Sequence, residues 1–170
     1  MASAILVSEI EYLQTVYEPD CEFIDGEVIE RNVGEYPHSR LQGAIYSYFR
    51  RRRKKWGLLP IIEQRVQIRP GKFRIPDICV VQGPEPDERI LTKPPLIWIE
   101  VLSSKDKPVR VNRKVQEVIA FGCAYVWVID PETLESYVVT RESQYELTDG
   151  MFRIEELGVE VPLGQLEDED

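Results

Sequence analysis

The chain has 170 residues and a formal charge of -9, with 43% hydrophobic and 30% charged residues, a size and composition that suit one compact domain with a real core and exclude a disordered chain. No apolar run approaches the roughly 20 residues that a bilayer-spanning helix needs. A single histidine excludes a multi-histidine metal centre, and Cys21, Cys79 and Cys123, in no CxxC spacing, exclude a zinc ribbon or a paired disulfide set.

Any metal must therefore be held mainly by oxygen, and the cysteines read as reduced, buried residues of a cytoplasmic protein. The first residues, Met1 to Glu9, lack a basic stretch and turn polar at Ser8 and Glu9, so no signal peptide is expected. The domain is expected to span residues 1–170, with an acidic tail over about 166–170.

In chain order, Ser8 with Glu11 three residues on has the spacing of a capping box and predicts a short helix. Glu22 to Ile29 holds two β-prone runs around Asp25-Gly26, a dipeptide that tolerates the positive φ of a hairpin turn. Pro37 leads into a long helix whose Leu41, Ala44, Ile45, Tyr48, Phe49 and Trp56 share one face. Leu58 to Arg69 reads as a strand closed by Pro70-Gly71, and Phe73 to Val81 as another, with Pro76 ill suited to a central ladder position. A loop rich in proline and charge follows, from Gln82 to Pro95.

Leu96 to Leu102 is a continuous apolar strand broken by one carboxylate. Val109 to Phe121 predicts a helix ended by Gly122, and Tyr125 to Ile129 a buried strand. Ser136 to Thr140 and Gln144 to Thr148 form a closing antiparallel pair, beyond which a short acidic segment frays past Gln165. The fold class expected is α/β: a mixed sheet flanked by helices, with an N-terminal hairpin and an extra antiparallel pair near the C-terminus.

Charge is unevenly spread. From Met151 onward there are seven carboxylates against one arginine, whereas Arg50 to Lys55 is an unbroken basic run. Arg50, Arg51, Arg53 and Lys54 could contact a nucleic-acid backbone despite the acidic total; for any one of them a solvated helix end is the plainer reading.

The informative feature is ionisable residues on faces that should be apolar. Glu100 interrupts Leu-Ile-Trp-Ile-Glu-Val-Leu, and Asp77 alternates with Ile75, Cys79 and Val81. At 100° per residue, Lys114 falls inside the Val111, Val115, Val118, Ile119 stripe, while Arg113, Glu117 and Ala120 take the wet side. Two inward carboxylates, a divalent cation and an inward ammonium would balance one another and could activate water against a phosphodiester. The plainer alternatives are a carboxylate buried with an arginine and a lysine that reaches out to the helix edge.

These residues, taken together, resemble a known family. Pro76-Asp77, then Ile99-Glu100-Val101-Leu102-Ser103, then Lys114 with Gly122 eight residues on, then Trp127-Val128-Ile129-Asp130-Pro131 are similar to the Uma2 (DUF820) endonucleases of the PD-(D/E)XK restriction-endonuclease-like superfamily. Asp25 to Glu30 and Pro37-His38-Ser39 add to the match, which runs from about Glu22 to about Tyr145. The resemblance implies a three-layer α/β/α fold and a Mg²⁺-dependent endonuclease acting on DNA, with Mn²⁺ as a substitute. It places the metal between Asp77 and Glu100 with the Val101 carbonyl, and it gives Lys114 the task of orienting water or neutralising charge. The superfamily's usual lysine position, two residues after the acid, is Leu102 here, and an aromatic that usually follows the helix lysine is Val118.

Glu27 could be a further ligand or supporting acid, and His38 a base or substrate-positioning group; each also fits an ordinary surface or capping role. A homodimer would suit double-strand cutting, though nothing in the sequence requires one. The competing function is a nuclease-like fold that no longer cuts and serves as a nucleic-acid-binding or protein-interaction module.

Overall fold

The computed structural model describes residues 6–32 and 34–166. Helix α1 (Glu9–Gln14) is capped by Ser8, whose hydroxyl accepts the Glu11 amide at 3.1 Å. Strands β1 (Cys21–Ile24) and β2 (Glu27–Glu30) pair antiparallel across Asp25 and Gly26, whose φ angles of 49° and 97° are those the tight turn demands. Helix α2 (Tyr36–Trp56) buries Leu41, Ile45, Tyr48, Phe49 and Trp56, the face its spacing predicts, and ends at left-handed Gly57.

Two expected strands each divide in two. Leu58 to Arg69 becomes β3 (Leu58–Ile62) and β4 (Val66–Arg69), with Glu63 at φ 49° turning the chain between them. Phe73 to Val81 becomes β5 (Lys72–Arg74) and β6 (Ile78–Gln82), parted at Pro76, which has no amide to give a ladder. The halves belong to different sheets. The chain leaves the main sheet after β3, forms the β4–β5 hairpin in a four-stranded sheet of order β2-β1-β5-β4, and returns as β6. Asp77 stands at the point of return. Its carbonyl is fixed there by the Glu63 amide at 3.1 Å and the Gln42 side chain at 2.9 Å.

The main sheet is completed by β7 (Ile97–Val101), β8 (Tyr125–Ile129), β9 (Ser136–Val139) and β10 (Gln144–Glu146), in the order β10-β9-β8-β7-β6-β3. Only β7 and β8 run parallel, and the crossover between them is helix α3 (Pro108–Phe121), which ends at Gly122 with φ 119°. Strand β7 alternates faces. Ile97, Ile99 and Val101 pack towards α2, while Trp98 packs with Val115 and Val118 of α3. This is a mixed sheet between helices, as the sequence predicts.

The segment from Met151 to Gln165, for which no element was expected, forms a hairpin, β11 (Met151–Ile154) and β12 (Val159–Pro162), whose Phe152, Ile154, Val159 and Val161 are buried in the α2-side core, and Leu166, expected to open a frayed tail, is buried there too. Phe152 stacks on Trp127 with ring centroids 4.8 Å apart. Arg153 and Glu160 take the alternate, solvent-facing strand positions, and Glu155 and Glu156 lie in the turn between the strands. The rest of the expected tail, residues 167–170, lies outside the described residues. Cys21, Cys79 and Cys123 are free and buried. Among the described residues no helix is long and apolar enough to cross a membrane.

Candidate active site

Asp77, Glu100 and Lys114 line one cleft of about 180 Å³ on the α3 side of the main sheet. Glu100 reaches it because it shares a strand face with Trp98, whose indole N–H donates to Oε1 of Glu100 at 2.6 Å. Lys114 arrives from the helix above, with Nζ 2.6 Å from the same Oε1. Both contacts fall on one oxygen; Oε2 of Glu100 has no hydrogen-bond partner among the described residues. Asp77 is held differently. Its Oδ2 accepts the Val101 amide at 2.7 Å, tying the return point of β6 to the strand that carries Glu100. Its Oδ1 lies 2.9 Å from the Arg31 guanidinium and 3.3 Å from Nε2 of His38.

A further acid joins them. Glu22 of β1 is buried, with Oε1 3.0 Å from Nζ of Lys114 and accepting the Ile75 amide at 2.9 Å, and with Oε2 2.7 Å from Arg74. Arg74 also binds Glu117 at 2.6 Å, and Lys72 binds the same carboxylate at 2.7 Å. Glu117 is thus not on a wet face, because the four-stranded sheet flanks that side of α3 and brings β5 against it. Lys114 is held between two carboxylates and the Ile75 carbonyl, 3.2 Å away. It does not reach out to the helix edge.

These partners set the protonation of the site. Burial pushes the Glu100 carboxyl up to about 7, against the pull of Lys114 and helped by the charge of Asp77. Burial would also raise Asp77, but the His38 hydrogen bond and the Arg31 charge hold it below the usual carboxylate range. Glu22, likewise buried, is brought down to about 2 by Lys114, Arg74 and the Ile75 amide. The hydrogen bond to Asp77 raises the His38 imidazole above its ordinary value despite burial. One carboxylate is thus firmly ionised beside another poised near neutrality, a contrast typical of sites that handle protons or cations.

Not every candidate from the sequence comes to this cleft. His38 does, from the first turn of α2. Val101 does, through its backbone. Glu27 does not: it is exposed beside the hairpin turn, and Glu22 on the paired strand is the acid that enters. The Arg50–Lys55 run lies at the far end of α2, about 18 to 26 Å along the helix from His38. There Arg53 pairs with Glu85, Arg52 lies over the Tyr48 ring 3.5 Å from its centroid, and Arg51 donates to the Leu166 carbonyl at 3.5 Å. Arg50 and Lys54 are exposed.

Among the described residues no three His, Cys, Asp or Glu side chains gather as a metal-binding group. A cation here would rest on two carboxylates and a backbone oxygen, with water completing its shell. That donor set suits Mg²⁺, which keeps several of its waters. The free Oε2 of Glu100 fits such an ion.

Comparison with known proteins agrees with this architecture. The Uma2 family model, described as "Putative restriction endonuclease", matches residues 10–166. A solved structure described as a "putative nuclease belonging to DUF820", from Anabaena variabilis ATCC 29413, is similar over 95% of this chain and 98% of its own, with a TM-score of 0.80 and 20% sequence identity. No curated protein matches the chain.

Proposed function

The chain belongs to the Uma2 family, and on that premise we propose that it is a Mg²⁺-dependent endonuclease hydrolysing phosphodiester bonds in DNA. Asp77, Glu100 and the Val101 carbonyl would hold the metal. When bound, it would polarise the scissile phosphate and lower the pKa of a coordinated water. The observation that carries this reading is the meeting of Asp77, Glu100 and Lys114 in one cleft.

The chain's own residues divide the remaining work. Asp77, already ionised, is pinned by the Val101 amide, so its position does not depend on the cation. Glu100 is fixed through Oε1 by Trp98 and Lys114, which leaves Oε2 to face a ligand. Lys114, kept charged by Glu100 and Glu22, orients the attacking water or offsets charge on the phosphoryl oxygens. His38, bound to Asp77 through Nε2, would position the substrate or act as a base.

The non-cutting alternative draws on one observation: Asp77 and Glu100 each already have a cationic partner, Arg31 and Lys114. Supercoiled DNA incubated with Mg²⁺ or Mn²⁺ separates the two readings. The hydrolase nicks it, and Asp77→Asn and Glu100→Gln each abolish nicking while thermal unfolding stays cooperative. Intact DNA with the wild-type protein in both metals leaves the binding module.

A further inference from the structure

A strand entering the cleft needs cations to hold the phosphates on either side of the reacting one. We propose that Lys105, Lys107 and Arg110, on the rim of the cleft, make these contacts to DNA, and that the Arg50–Lys55 run does not. The inference rests on the phosphodiesterase reading of the same site.

Position is the first argument. Lys105, Lys107 and Arg110 are exposed and line the cleft that holds Asp77 and Glu100, whereas the longer basic run stands at the opposite end of α2. The second argument is electrostatic. Lys107 is the N-cap of α3 and Arg110 lies in its first turn, where aligned peptide dipoles already make the helix end positive. Cations there work against the helix, and the first turn holds no acidic residue to offset them. None of the three has an ion-pair partner among the described residues. The nearby acid, Asp106, is turned to other work: it accepts the Ser103 amide at 2.7 Å and the Asn32 amide group at 2.8 Å.

The Arg50–Lys55 run is the reverse case. Arg53, Lys54 and Lys55 occupy the last turn of α2, where a helix favours cations, and Arg51, Arg52 and Arg53 have the structural partners described above. Fold stability accounts for that cluster. It does not account for the rim, where exposed positive charge is concentrated against the local dipole with no ion-pair partner among the described residues; an anionic ligand does.

The test is fluorescence anisotropy of the full chain with a short labelled DNA duplex and the matching single strand, without divalent cation, over roughly 50 to 200 mM salt. The variant Lys105→Gln/Lys107→Gln/Arg110→Gln should flatten the log–log salt slope by about 2.7 on duplex or about 2.1 on single strand, the loss of three phosphate contacts. Arg50→Gln/Lys54→Gln/Lys55→Gln should keep the wild-type slope. The inference is overturned if the rim variant keeps the wild-type slope, if the α2 variant loses it, or if the wild-type protein binds neither DNA. Failure of the hydrolase reading would look different: wild-type protein that binds with the expected slopes and leaves DNA uncut in Mg²⁺.

Discussion

Nζ of Lys114 and Oε1 of Glu100 lie 2.6 Å apart, joining a helix cation to a strand carboxylate inside a buried site. Glu22 holds the same ammonium from the other side at 3.0 Å. Removing the amine leaves Glu100 without a cation and Glu22 with Arg74 alone. Lys114→Met should therefore cost about 3–5 kcal/mol at pH 8, measured by urea unfolding. The cost should shrink at pH 5, where Glu100 can take a proton. If the enzyme cuts DNA, the same change should lower the rate by roughly 100-fold or more.

Glu100 also governs how stability responds to pH. Its folded pKa is raised from 4.5 to about 7, so between those values the native state binds the extra proton and stability falls as pH rises. Glu22 and Asp77 act oppositely. Their folded pKa values are lowered, so the stability they give is present above their unfolded pKa values and is lost as pH falls through the folded ones. Glu100→Gln should remove the decline between pH 4.5 and about 7 and leave acid unfolding unchanged. Below pH 7, binding of Mg²⁺ by the wild type should release protons, read by calorimetry in buffers of different ionisation enthalpy.

Arg31 shares Oδ1 of Asp77 with His38 and competes for the carboxylate that a divalent ion would use. Arg31→Met should tighten Mg²⁺ binding, seen as a larger rise in melting temperature at a fixed Mg²⁺ concentration than in the wild type. Equal or weaker binding would mean that Asp77 is not a ligand.

The C-terminal hairpin should behave as core. Phe152→Ala removes a fully buried ring stacked on Trp127 and should cost about 3–5 kcal/mol in denaturant unfolding. Gly122→Ala should destabilise as well, since φ is 119° there and an added Cβ would meet Pro94 at 3.2 Å.

Much of this was legible because buried charge stands out against an apolar pattern. Glu100 in an unbroken hydrophobic strand and Lys114 inside a valine stripe announce themselves, and local signals fixed the α1 cap, the Asp25-Gly26 turn and the end of α3. What escaped depended on long-range packing. Glu22 sits among short mixed residues where neither period is decisive, and only the pairing of β1 with β5 carries it to Lys114. Glu117 belongs to the wet side of an isolated helix, and a second sheet changes that. The β11–β12 hairpin did carry a signal, the alternation Phe152, Ile154 and Val159, Val161 about Gly158, but the acids between those positions masked it.

The single parallel step of the main sheet, from β7 to β8, obliges the chain to climb out and return across the sheet's own face, and Lys114 travels on that detour. Its aim is therefore governed by helical phase instead of strand alternation. One residue inserted between Pro108 and Lys114 would swing the amine about 100° around the helix axis, whereas an insertion among Ser103 to Lys107 could be taken up by the loop. An amine mounted on β7 itself would flip to the far side of the sheet after any single insertion. For the aim of Lys114 alone, the connecting loop tolerates a change of length that the first two turns of α3 do not.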